Sequence, residues 1–336
     1  MTTEAKIQLT SSELGTMWMT YISGSALIIK CKFMKDKTID KEAQNILSNY
    51  ITDAEGLKDK IVNLFNSENV IIPIGFDERD MFKEAPSLFD DIFKIMNLRQ
   101  LMKLNFSHSA IFTAMSYMKE VHDILKLNYD IADKYYVMTT NYLLKKGVLA
   151  KSPYVTFPKK VEFIEDKKYM SGINPFSDKR ALNTIEVGFL NEIIEDNIFG
   201  MQLMTGFAQV ATESEVKEYF IEGKELAKKI ISKLSDVLSQ SDILPPSTWA
   251  GKATDSTQPP YSDKLMMYTT SLMSGSALTF SVSGTSYSLR NDLPLKLALI
   301  GKEAFTYAKK GGKLMIKHKW MEEPPQMEDR NQLIKN

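Results

Sequence analysis

The sequence predicts an all-α protein: two tandem ferritin-like up-down four-helix bundles, each with one long crossover and an extended C-terminal arm. Three observations carry this. The apolar pattern of the first half recurs about 173 residues later, the recurring positions follow a 3.6-residue period, and a long Pro-containing segment divides each copy.

At 336 residues the chain is long enough for two domains whose cores need no metal or disulfide staple. Its 43% hydrophobic and 25% charged residues are ordinary for a globular protein. Forty-two basic residues offset 42 acidic ones, which removes the electrostatic footprint of a general nucleic-acid binder. Cys31 is the only cysteine, so neither an intramolecular disulfide nor a thiolate cluster can form. The stretch Met1 to Gln8 is polar and unlike a secretory signal, and no run of about 18 apolar residues occurs. The expected setting is the cytoplasm, with no membrane and no nucleic acid among the partners.

The repeat is clearest in its second helix. Ala43, Ile46, Leu47, Ala54, Leu57, Ile61, Leu64 and Phe65 fall on Val216, Tyr219, Phe220, Ala227, Ile230, Leu234, Val237 and Leu238. Spacings of three and four put each set on one helical stripe. The one break is Tyr50 against Gly223. Leu9, Glu13, Gly15 and Pro73 likewise fall on Leu182, Glu186, Gly188 and Pro246. Beyond Pro73, Lys145-Lys146-Gly147 matches Lys309-Lys310-Gly311 at an offset of 164, which implies a crossover nine residues shorter in the second copy.

The first helix is expected from about Ser12 to Lys35, with Leu14, Met17, Trp18, Tyr21, Ser25, Ile28 and Ile29 on one face. The second is expected from about Asp40 to Asn66, the third from Ser87 to Leu125, and the fourth from Asp130 to Lys146. Their counterparts are placed near 183–209, 214–240, 262–289 and 293–310. Thr212-Glu213-Ser214-Glu215 reads as a capping box, and Lys-Lys-Gly as the stop of each fourth helix. Short connections within each hairpin and about 20 residues between hairpins give the ferritin-like topology with a single long crossover.

Thr269 to Ser288 is rich in Ser, Thr and Gly, which are poor or mediocre helix formers. Its repeat register argues for helix. The leading reading of its small residues is close helix packing; the competing one is a hydroxyl-lined cavity. Each copy ends in a Pro-containing arm, Val148 to Ile164 and Lys313 to Glu328, whose aromatics need cover. The leading reading lays each arm along its own bundle. The domains are then 1–164 and 180–336, joined by a linker over 165–179 that contains Gly172 and Pro175.

The paired openings LTSSELG (Leu9 to Gly15) and LNTIEVG (Leu182 to Gly188), the Pro-bearing crossovers and the Lys-Lys-Gly ends followed by arms carry a resemblance. The chain resembles a family of ferritin-like four-helix proteins from endospore-forming bacteria. Its members are uncharacterised, often tandemly duplicated, and some are labelled spore-coat-like. The resemblance covers nearly the whole chain and implies scaffold, not an active site.

A carboxylate-bridged di-iron centre needs Glu-x-x-His on two helices. Three residues before His108, His122 and His318 stand Asn105, Lys119 and Met315, so the motif is missing and no metal or other cofactor is expected. Glu13 and Glu186 lie in first turns, where the helix dipole favours acids. Glu222-x-x-Glu225 sits on a helix face flanked by lysines. Cys31 falls on Met204 and reads as a core hydrophobe. No Gly-rich phosphate loop is present.

The expected function is therefore non-enzymatic, structural or protein-interacting, in a spore-associated or cytoplasmic setting, with protein partners or self-association. The alternative is a small-molecule binder or metal-independent enzyme with a polar pocket beside the Ser/Thr-rich helix. Its candidate ligand-binding residues are Thr270, Ser274 and Ser281, with His108 facing the first bundle's interior.

Overall fold

The computed structural model describes residues 8–173, 179–246 and 252–335; most of Met1 to Gln8, and Pro175 of the linker, lie outside them. Among the described residues the first half holds α1 (Ser11–Asp36), α2 (Lys41–Ser67), α3 (Asp91–Thr113) and α4 (Lys119–Lys145). The second holds α5 (Thr184–Val210), α6 (Ser214–Ser239), α7 (Asp263–Tyr287) and α8 (Asp292–Lys317), and a short α9 (Arg330–Lys335) follows.

End-to-end contacts fix the topology. Glu13, in the first turn of α1, accepts the amides of Tyr117 and Met118 beyond α3, at 2.7 and 2.5 Å. Lys94, in the first turn of α3, donates to the Lys37 carbonyl beyond α1. At the head of α2, Asp40 and Glu42 meet Lys146 and Lys145 at the tail of α4. Thus α1 runs antiparallel to α3 and α2 to α4. The segment between α2 and α3 must climb back along a helix of about 40 Å. That is the single-crossover bundle the sequence predicts.

Several boundaries differ from expectation. The third helix ends at Thr113 and the fourth begins at Lys119, so the break lies well before Asp130. Helix starts at Ser11, Lys41, Asp91 and Lys119 recur at Thr184, Ser214, Asp263 and Asp292, an offset of 172 or 173 throughout. The nine-residue shortening is therefore wrong, and the Lys-Lys-Gly match behind it is accidental. Gly147 does stop α4 with φ +70°, but Gly311 lies inside α8, whose stop is Lys319 at φ +58°. The capping box expected at Thr212 is replaced by Asp263 from across the bundle. Its carboxylate takes the amides of Thr212 and Glu213, as Asp91 takes those of Ile39 and Asp40. Capping boxes form instead at Thr10/Glu13 and Asn183/Glu186.

The helices fall into two kinds. On α2, α4, α6 and α8 the buried residues form one stripe at helical spacing. The inner helices bury residues all round: every residue from Phe93 to Leu104 of α3 is buried, as is every one from Ser25 to Cys31 of α1. Their second faces form the contact between the halves. Phe93 stacks on Phe199 at 4.9 Å, and one continuous core joins both copies.

The halves meet about an approximate two-fold axis on which the two crossovers pair antiparallel. Phe82 donates its amide to the Pro260 carbonyl at 2.9 Å, and Thr254 donates to Leu88 at 2.8 Å. These two bonds exchange under the repeat offset, as do the bridges Met81–Tyr261 and Phe89–Ala253.

The arms behave differently from each other and from the leading reading. The second begins only after α8 and crosses to the first half, where Glu322 accepts the amides of Ile74 and Gly75. The first is exposed from Lys151 to Lys168.

Candidate functional site

Each bundle contains a chamber between its helices, partly open to solvent, of about 70 Å³ in the first half and about 80 Å³ in the second. They occupy equivalent places. Ser23, Leu27, Tyr50, Ala54 and Ile131 line one, and their repeat mates Asp196, Gly200, Gly223, Ala227 and Ala304 line the other. Each also takes a wall from the opposite half: Tyr268 and Leu272 of α7 close the first, and Gln100 of α3 closes the second. Both exceed the space one water needs by severalfold.

The Tyr50/Gly223 break in the repeat belongs to this site. In the first bundle Tyr50 meets Tyr135 edge-on at 5.3 Å. In the second, Tyr307 comes from the opposite helix into the space that Gly223 leaves. A Cβ on that glycine would lie 2.2 Å from the Tyr307 hydroxyl. The aromatic wall is kept while its parent helix changes.

The first chamber has a neutral polar edge. Asn105 and Asn128 exchange hydrogen bonds at 3.0 and 3.2 Å, and Asn128 also donates to the Ser109 hydroxyl at 2.8 Å. His108 lines the chamber and stacks on Phe112, and burial holds its pKa below the usual value.

The second chamber has the more polar wall. Thr270 and Ser274 line it, each donating its hydroxyl to the carbonyl four residues back, at 2.9 and 3.0 Å. Thr269, Thr279, Thr285 and Ser288 do the same, which lets a Ser/Thr-rich helix stay helical and buried. Their protons are used, so toward the chamber these hydroxyls are acceptors. Ser281 is buried but does not line the chamber; it packs by Gly301 at the crossing of α7 and α8. The N-terminal part of α7 thus lines a cavity and its C-terminal part packs closely. The four predicted residues do not form one site: His108 belongs to the first chamber, and Thr270 and Ser274 to the second.

Two further groups on the second chamber escape sequence reasoning. Gln100 is only 3% exposed, and its Nε2 has no partner among the described residues. Asp196 accepts from Lys103 with one carboxylate oxygen at 2.8 Å, while its Oδ2 is buried without a partner among the described residues. Burial pushes the Asp196 carboxyl up to about 6, with Lys103 pulling it back down. Behind them the α3–α5 contact is ionic: Lys103 also meets Glu192, and Arg99 meets Glu195 at 3.1 Å. The signal was available as Arg99 and Lys103, two cations inside the otherwise uncharged run Ile95 to Leu104, facing acids spaced three and four apart on α5.

The carboxylates considered for metal are committed elsewhere. Both oxygens of Glu13 are held, by Thr10 on one side and by the amides before α4 on the other. Glu186 is matched by the Arg180 guanidinium, at 2.8 and 2.7 Å, and by the amides of Asn183 and Arg290. Glu222 and Glu225 pair with Lys310 and Lys228. Among the described residues no three His, Cys, Asp or Glu side chains converge. Cys31 is buried, and burial pushes its thiol up to about 12.

The comparisons follow the repeat. A family model described as a protein of unknown function, DUF3231, matches residues 1–161 and again 170–333. A crystal structure from Bacillus halodurans C-125, described there as a "putative spore coat protein", is similar at 15% identity and a TM-score of 0.42. It covers 45% of this chain and 98% of its own. No curated protein matches.

Proposed function

The chain belongs to the DUF3231 family, one family unit in each half, and we propose that each unit binds one small, mainly apolar molecule in its chamber. The observation that carries this is the equivalence of the two chambers despite altered lining. Where the first copy has Tyr50 and the second has Gly223, a tyrosine from another helix takes up the glycine's place in the wall and the chamber remains. Interiors pack to crystal-like density, so space left between the helices at the same place in both copies is not a default of the fold. Two in matching positions therefore fit a binding role.

Binding without catalysis fits the groups present. Among the described residues lining either chamber no hydroxyl donates to a base, and the hydroxyls of Thr270 and Ser274 are bonded to their own helix. The test is calorimetric titration with toluene. Two molecules should bind per chain, falling to one in Ala54→Phe and one in Ala227→Phe, each of which fills a chamber. Absence of binding to the wild-type chain would contradict the reading.

A second reading, a structural or protein-interaction role in the sporulation lineage, is favoured by the first arm. Tyr154, Phe157, Val161 and Phe163 are each more than 80% exposed there. Large exposed apolar groups of this kind mark contact with partners or with a second copy. Sedimentation of the full chain against a variant with these four residues changed to Ser tests it: association confined to the wild type supports the role, and equal monomers contradict it.

A further inference from the structure

The first arm joins the two halves, yet its composition is not that of a solvated linker, which is polar or rich in Gly and Ser. Val155 to Ile164 (VTFPKKVEFI) alternates. In extended chain Val155, Phe157, Val161 and Phe163 share one face, and Thr156, Lys160 and Glu162 share the other. The Lys160 Nζ lies 3.0 Å from the Glu162 carboxylate, so these two side chains already turn to one side. Among the described residues no backbone group from Lys151 to Ile164 has a hydrogen-bond partner. The segment has the pattern of a β-strand with neither edge paired, the usual template for another chain.

The charges of the segment select the partner. Two copies laid antiparallel about a two-fold axis bring their apolar faces to the same side only when one residue faces its own copy. Centring on Lys159, Lys160 or Glu162 sets like charges opposite each other, which is destabilising. Centring on Val161 sets Lys160 of each chain opposite Glu162 of the other. The odd-numbered residues can then exchange the ladder bonds, which turns Pro158 outward, where its missing N–H costs no bond and bars a third strand. The chain bends at Lys159 and Lys160. Because the whole stretch is exposed and its backbone is unbonded, straightening it breaks no backbone hydrogen bond.

Resting on the second reading above, we propose that the first arm pairs with the first arm of a second copy of this chain, as an antiparallel ribbon centred on Val161. Two strands alone are marginal. The dimer is therefore weak and reversible, and in dilute solution the arm stays open to protease.

The test is sedimentation of the full chain at a concentration where the wild type is half associated. It compares Lys160→Glu, Glu162→Lys and an equimolar mixture of the two. Each variant alone sets like charges opposite and should associate about tenfold more weakly than the wild type. The mixture sets the two acids of one chain opposite the two lysines of the other and should recover wild-type association. Both positions are exposed, and a folding defect would not be repaired by mixing. Equal association of every form, or weakened variants that mixing does not restore, would overturn the pairing and leave the second reading standing. A wild type that stays monomeric at every concentration overturns both. Flotation of that monomer with anionic lipid vesicles would assign the aromatics and lysines of the arm to a lipid surface instead.

Discussion

Gln100 and Leu272 occupy the same position in the two copies, and each lines the chamber of the other copy. Neither chamber is therefore complete within one bundle. The duplication does more than repeat a scaffold, because the contact between copies supplies a wall to both cavities. Fusing the copies also lets that wall differ, an apolar leucine on one side and an amide on the other.

The buried acid of the second half should dominate its acid stability. Hydrogen bonds from Arg180 and from backbone amides hold the Glu186 carboxyl down at about 2 against the opposing effect of burial. A lowered carboxylate contributes stability that is fully present above its unfolded value near 4.5 and is lost as pH falls toward 2. Glu186→Gln should cost about 3 kcal/mol at pH 7, the typical cost of breaking a buried pair. Denaturant melts at pH 7 and pH 3 check it: the gap between variant and wild type should narrow in acid.

Lys30 should act in the opposite sense. It is 1% exposed, with one hydrogen bond to the Asn97 side-chain oxygen Oδ1 at 3.3 Å, and burial lowers its pKa to about 7. Because the unfolded lysine keeps its proton to about 10.4, the unfolded state holds more protons between those values. Stability from this group therefore rises with pH across that window. In Lys30→Met the rise between pH 7 and 9.5 should flatten, as read from Tm against pH for both proteins.

Close approach at the two-fold axis gives a third expectation. A Cβ on Gly206 would lie 2.4 Å from the Phe89 ring of the other half. Gly206→Ala should therefore destabilise by about 2 kcal/mol, although alanine is the better helix former. Combined with Phe89→Leu the loss should be smaller than the sum of the two single changes, which a double-mutant cycle measures.

The first arm should be the first point of cleavage. Lys151, Lys159 and Lys160 lie in exposed, extended chain between the halves. Brief trypsin treatment should cut there and leave two fragments that co-elute on gel filtration, held by the shared core. Separation of the fragments would show that the contact between halves depends on the linker.

The outer helices were legible because each carries one stripe: every second-helix position matched by the repeat is buried in both copies. The inner helices were legible as helices but not as interfaces, since a helix buried all round has no face for periodicity to find. The turn at Ala114–Met118 was missed because it contains neither Gly nor Pro. Asn128-Tyr129-Asp130 looked like a turn, yet it lies in mid-helix with Asn128 bonded to Asn105. His108, Thr270 and Ser274 could be picked out as polar residues on apolar helices. Gln100 and Asp196 could not, because only the packing of one copy on the other brings them to one cavity.

The most direct measurement is a crystal of the full chain pressurised with xenon, which enters apolar cavities without needing a polar contact. Two peaks are expected per chain, one beside Tyr50, Ala54 and Ile131 and one beside Gly223, Ala227 and Ala304. Density for xenon at neither place, with side chains closed across both, would contradict the paired chambers on which the function rests.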